Sequence, residues 1–209
     1  MANDVSHDAS GFVHLTDVCP DVLLEMRYFS TFNFVGTRID GYKAPVALLT
    51  KEAATALKNV SDQLIIHGFR LKIWDAYRPQ SAVAHFVRWA EDIEDTRMKP
   101  WFYPNVDKHD LFRLGFIARR SGHTRGSTID LTLLSMKTGN ELDMGTGFDF
   151  FSECSHFDAS GLTQRQRENR HLLRQAMESG GFQPYDGEWW HFTLWDEPYP
   201  DLYFDFPVL

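Results

Sequence analysis

At 209 residues the chain is the length of one domain and can bury about 70% of its unfolded surface, so its core needs no disulfides. A net charge of −8 argues against holding nucleic acid or an anionic membrane by bulk electrostatics. Two cysteines, Cys19 and Cys154, with no Cys-x-x-Cys pair, support neither a disulfide framework nor a cysteine-rich zinc module; two buried free thiols are expected, with a single bridge as the alternative.

Met1 to Asp8 shows no basic region leading into an apolar run, and no stretch approaches the ~18 apolar residues of a membrane helix. A cytoplasmic location is expected, or a periplasmic one if an export signal has been removed. From Phe12 to Tyr28 the pattern is extended, with Val22, Leu24 and Met26 alternating; residues 31–49, with Gly36, Gly41 and Pro45, read as an irregular loop. Thr50 is an N-cap for a helix carrying Ala53, Ala54, Leu57, Val60, Leu64 and Ile65, which Gly68 ends. Leu71, Ile73 and Asp75 fall on one side of a strand that runs into Tyr77-Arg78-Pro79. A second helix begins at Pro79, where a missing N–H is tolerated, and runs through Ala84 and Val87 to about Ile93.

Residues 94–120, with Pro100, Pro104 and Trp101-Phe102-Tyr103, suggest an ordered surface excursion, a candidate lid, with a short helix near Lys108 to Leu114. Ile129, Leu131 and Leu133 alternate with Asp130 and Thr132 as in a strand. Thr163 caps a polar-faced helix bearing Leu172, Leu173, Ala176 and Met177, closed by Gly180 and Gly181, and the last strand is Trp189 to Leu194. Without a regular βαβ rhythm, the expected fold is α+β: a single domain over 1–209, with a central, mostly antiparallel sheet and flanking helices.

Two strings carry the chemistry: Ser121-Gly-His-Thr-Arg-Gly-Ser-Thr-Ile-Asp130 and Glu188-Trp-Trp-His191. They offer His123, Asp130 and His191 as nitrogen and oxygen ligands, with Glu188 as a carboxylate beside them. Three protein ligands and an open position make a catalytic zinc site, whereas structural sites are closed, usually by cysteines. Residues seven apart face oppositely in an unbroken strand, so the chain must turn between His123 and Asp130, and Gly126 can supply the turn. Glu188 and His191, three apart, would also diverge in a regular strand, which places Glu188 at an irregular strand beginning after Asp186-Gly187. Each residue also has a plainer reading. Asp130 could cap a turn, and Trp189 and Trp190 suit core and pocket wall. Cys154-x-His156 is half a metal site without a second half. The other histidines are taken as surface or satisfied core residues.

These residues resemble the VanX-type D-alanyl-D-alanine dipeptidases, part of a zinc peptidase group that also holds D,D-carboxypeptidases and the hedgehog signalling domain. The resemblance spans Met26-Arg-Tyr28 with Asn33-Phe-Val-Gly36, Asp75-Ala-Tyr-Arg-Pro79, Ser121 to Leu133, Leu142-Asp-Met-Gly-Thr-Gly-Phe-Asp149, and Glu188-Trp-Trp-His-Phe192. Thr124 and Ser127 stand where serine and alanine are commoner, and the 94–120 stretch is longer than in compact members.

The resemblance implies one Zn2+ per chain on His123, Asp130 and His191, with Glu188 as general base and then acid. It implies Arg78 beside the scissile carbonyl, Asp149 and Tyr28 at the substrate's amino end, and Ser121 lining the pocket. Asp75 is then a partner that orients Arg78. The implied substrate is the small dipeptide D-Ala-D-Ala, with no nucleic-acid or membrane partner and an open oligomeric state. Its hydrolysis would deplete a cell-wall precursor, as in glycopeptide resistance, or recover D-alanine. The rival readings are a D,D- or L,D-peptidase acting on longer peptidoglycan peptides, and a non-catalytic zinc-binding interaction domain.

Overall fold

Three adjacent strands bring two distant acids and an imidazole into one row. A computed structural model describes residues 5–209. Its main sheet has the order β2 (Leu23–Leu24), β4 (Phe69–Asp75), β5 (Thr128–Ser135), β7 (Glu188–Leu194), β6 (Phe182–Tyr185). Only β2 runs parallel to its neighbour; the other pairs are antiparallel, as expected. A separate antiparallel pair joins β1 (Phe12–His14) to β3 (Leu48–Thr50).

Within β4 and β5, Ile73 pairs with Leu131, but Asp75 pairs with Asp130, so the register shifts across Trp74. Because side chains alternate between faces, this bulge turns Asp75 to the face of Asp130, opposite to Ile73. The expectation that Asp75 shares a side with Leu71 and Ile73 is thereby corrected. Asp130 in turn pairs with His191, so Asp75, Asp130 and His191 stand abreast on β4, β5 and β7.

The N-terminal stretch is less extended than its alternation suggests. A single turn, α1 (Leu15–Val18), follows β1, and only Leu23 and Leu24 join the sheet. Helix α2 (Lys51–Ile66) starts where Thr50 Oγ1 accepts from the Ala53 N–H at 3.3 Å, and Gly68 leaves it with φ +83°. Helix α3 (Gln80–Glu91) has Pro79 as its N-cap and stops short of Ile93, which is exposed.

The 94–120 excursion is ordered. It holds the one-turn α4 (Lys99–Phe102) and a 3-10 turn, Lys108–Asp110, in place of a longer helix to Leu114. Phe102, Tyr103, Leu111 and Ile117 anchor it in the core. Helix α5 (Gln164–Ser179) has a full capping box, Thr163 with Gln166. Strand β6 adds to the expected strands; it carries Pro184, which its place at the sheet edge beside β7 tolerates. Both cysteines are free, but only Cys19 is buried. Cys154 is exposed, correcting the expectation of two buried thiols: it sits on the 3-10 turn Glu153–Ser155, which turns Ser155 inward instead.

Candidate metal centre and active site

His123 lies on the 3-10 turn Gly122–Arg125, whose N-cap is Ser121, with Oγ accepting from the His123 N–H at 3.3 Å. The turn ends at Gly126, φ +84°, where a Cβ would collide with the Phe12 ring, so glycine is required for both conformation and space. His123 Nδ1 donates to the Ala76 carbonyl at 2.7 Å, which leaves the Nε2 lone pair free. That Nε2 lies 3.2 Å from Asp130 Oδ2 and 3.3 Å from His191 Nδ1, and His191 Nδ1 is 3.1 Å from Asp130 Oδ1.

One ligand atom from each of the three residues falls within 4.8 Å of the others, so the trio could hold a metal ion. Asp130 Oδ1 is buried and makes no hydrogen bond of good geometry among the described residues, a lone pair left for another partner. Burial opposes its ionisation, but His123 and His191 outweigh burial and hold the Asp130 carboxyl well below the usual range. Two imidazoles and an ionised carboxylate fit a divalent metal with positions left open for substrate.

Glu188 opens β7, and its Oε2 lies 3.5 Å from His191 Nδ1. The β6–β7 ladder pairs Pro184 with Phe192 but Tyr185 with Glu188, so extra residues bulge from β7 between them. That irregularity lets side chains three apart converge, as expected from the spacing. Desolvation raises the Glu188 carboxyl above its ordinary value, with the Asp130 charge adding to it and His191 opposing.

Arg78 follows β4. Its Nε donates to Asp75 Oδ2 at 2.9 Å, Nη1 reaches Ser121 Oγ at 3.4 Å, and Nη2 stands 3.6 Å from Asp130 Oδ2. Its guanidinium lies over the rings of Tyr28 (5.0 Å) and Phe86 (5.2 Å). Asp75, fully buried, also accepts from the Tyr42 hydroxyl at 2.6 Å. Tyr42 escaped the sequence reading because it sits in the irregular 31–49 loop, where no spacing marks it.

Asp149 is buried at the other side of the cavity and accepts from the Tyr28 hydroxyl at 2.9 Å. The cavity measures about 280 Å³, and its walls include Arg78, Ser121, His123, Asp130, Asp149 and Glu188. All nine sequence-selected site residues therefore gather here, Asp75 from beneath Arg78. Gly115 to Ala118 and Arg120 form part of the lining, so the end of the 94–120 excursion does border the site, as does Tyr185, which no motif marked.

Asp149 has φ +58°, a left-handed conformation uncommon outside glycine, though aspartate and asparagine adopt it more readily than other residues. Burial, then the charges of Asp130 and Glu188, push its carboxyl well above the ordinary value, against the opposing pull of Arg78 and Tyr28. A raised acid binds its proton more tightly when folded, so folding stability declines as pH rises from the ordinary carboxylate value through the raised one. Asp149→Asn tolerates the same backbone and still accepts from Tyr28. In the metal-free protein it should therefore gain stability over wild type as pH rises from 4 to 7, by up to about 1.4 kcal/mol per pH unit. Thermal unfolding across that range checks this; a pH-independent difference would mean that the carboxyl is not strained by its burial.

Two imidazoles and a carboxylate that could hold a metal, with Glu188 beside them and the Arg78 guanidinium lining the same small cavity, are a donor set of the kind metallopeptidases use. A family profile described as peptidase M15, D-Ala-D-Ala dipeptidase, matches residues 8–209. The chain is 44% identical over 199 residues to a D-alanyl-D-alanine dipeptidase of Enterococcus faecalis, covering 95% of this chain and 98% of that protein. Proteins of the same name from Enterococcus faecium and Escherichia coli are 41% and 36% identical, covering 95% and 90% of this chain and 98% and 86% of theirs. The chain belongs to the M15 D-Ala-D-Ala dipeptidase family.

Proposed function

We propose that the protein hydrolyses D-Ala-D-Ala to two D-alanines, using one zinc ion per chain. The observation that carries this reading is the buried Asp149 carboxylate, which shares a cavity of about 280 Å³ with the His123, Asp130, His191 trio. A buried acid whose hydrogen-bond partner among the described residues is the neutral Tyr28 hydroxyl favours an added cation, and a free dipeptide brings an ammonium group next to its scissile bond. The names of the relatives agree with that substrate.

His123, Asp130 and His191 would hold the zinc, which when bound supplies Lewis acidity toward the peptide carbonyl and toward water. Glu188 accepts a proton from the attacking water and returns it to the departing amine nitrogen. Its position beside the trio suits both halves of that shuttle. Arg78, fixed by Asp75, presents N–H groups to the oxyanion that develops from the carbonyl. Asp149 and Tyr28 hold the ammonium end, and Ser121 lines the cavity beside Arg78. An exposed free thiol at Cys154 suits a reducing compartment and supports a cytoplasmic location.

The test is a rate comparison of the zinc form on D-Ala-D-Ala, its N-acetylated form, L-Ala-L-Ala and a longer peptide ending in D-Ala-D-Ala, scored as free amine. Acetylation leaves Asp149 buried without its cation, so a loss on the order of 10²-fold or more in kcat/KM is expected. Equal rates on free and acetylated dipeptide would remove the argument for ammonium recognition and favour a peptidase of longer chains.

A further inference from the structure

The segment that carries Asp149 is gripped at both ends by one side chain of α5. Arg170 is 1% exposed, yet the acceptors it meets among the described residues are backbone carbonyls. Nε donates to Met144 O at 2.7 Å, Nη1 to His156 O at 2.5 Å and Phe157 O at 3.4 Å, and Nη2 to Cys154 O at 2.9 Å. Burial lowers its pKa only to about 10, so it remains charged at neutral pH. Met144 opens the segment and residues 154–157 close it, so the guanidinium spans a loop with Asp149 in its interior.

The same helix adds Asn169 Nδ2 to Asp143 O at 2.8 Å and Gln166 Nε2 to Asp143 Oδ2 at 3.0 Å. Inside the loop, Ser155 Oγ donates to Phe150 O at 2.6 Å and lies 3.1 Å from Thr146 Oγ1. Thr146 Oγ1 accepts from Trp189 Nε1 at 2.8 Å, and Trp189 follows Glu188 in β7. The network thus touches the loop of Asp149 and the strand of Glu188 together.

Well-packed apolar residues often match or exceed a buried charge in stability. What an arginine adds is a rigid fork of five donors that can satisfy several carbonyls at fixed mutual positions. Here those carbonyls bracket a residue held at φ +58°, a conformation that persists only where its surroundings impose it. We infer that Arg170 is a positioning residue for recognition of the substrate's ammonium group: it ties both ends of the 144–157 loop to α5 and so fixes Asp149 against Tyr28 at a set distance from Glu188. This rests on the reading of Asp149 given under Proposed function.

A double-mutant cycle on the zinc-loaded full chain tests it, with Arg170→Met, Asp149→Asn and the double variant assayed on D-Ala-D-Ala. Arg170→Met should raise KM roughly tenfold with a smaller change in kcat, and in the Asp149→Asn background it should add less than twofold to the loss in kcat/KM. Amide exchange should quicken at residues 145–151 and stay unchanged in β5. Should Arg170→Met fail to fold, Arg170→Lys enters the same cycle. It keeps the charge without the fork, and the same pattern is expected. An effect of equal size in both backgrounds, or none in wild type, would overturn the positioning role while leaving the dipeptidase reading intact. If Asp149→Asn alone changes neither KM nor the preference for the free dipeptide, it is the reading of Asp149 that falls.

Discussion

Glu188→Gln is expected to lower kcat on D-Ala-D-Ala by about 10³-fold or more, with KM changed only a few-fold and zinc still bound at one per chain. The amide has the size of the carboxylate and fills the same place at the head of β7, but it cannot take a proton from water or return one to an amine. The expected selectivity follows from position: the trio with converging ligand atoms is His123, Asp130 and His191, and Glu188 stands 3.5 Å to the side of His191. Loss of a ligand would lower metal content and activity together, whereas loss of a proton shuttle lowers kcat alone. Steady-state kinetics paired with metal analysis separates the two. A Glu188→Gln enzyme within tenfold of wild-type kcat would assign the base to another group, and one that no longer retains zinc would make Glu188 a ligand.

The convergence of His123, Asp130 and His191 was legible in sequence because each half of the trio is local. Gly126 between His123 and Asp130 announces a turn, and Asp186-Gly187 ahead of Glu188 announces an irregular start. What joins the halves is strand register, which is a property of pairs of strands. Nothing in Leu71-Lys-Ile-Trp-Asp75 reveals a bulge at Trp74, yet that bulge is what turns Asp75 toward Asp130 and gives Arg78 its anchor. Tyr42 reaches Asp75 from an irregular loop, and Arg170 reaches the Asp149 segment from a helix whose sequence looks merely polar. Both act through contacts across 13 or more residues of chain, for which periodicity has no signature. Strand β6 is the opposite case: Pro184 is a strong local signal against a strand, and its position at the sheet edge overrides that signal.

Arg78→Lys should reduce kcat by about 10²- to 10³-fold with a smaller rise in KM, the loss typical of removing one oriented oxyanion donor. The charge is kept, so the change isolates geometry. The guanidinium holds Asp75 through Nε while Nη1 and Nη2 point past it toward Ser121 and Asp130. An ammonium on a flexible stem is a single point and cannot keep Asp75 and face a developing oxyanion in the same pose. Arg78→Met goes further, because it leaves Asp75 fully buried beside Asp130 with the Tyr42 hydroxyl and the His123 ring as its remaining polar neighbours among the described residues. Removing one partner of such a pair is typically worth about 3–5 kcal/mol, so Arg78→Met should also unfold at a markedly lower temperature than Arg78→Lys. Kinetics and thermal unfolding on the two variants therefore separate the roles of this residue. A lysine enzyme that keeps kcat within threefold of wild type would reduce Arg78 to a counter-ion for Asp75 and leave the oxyanion to the metal alone.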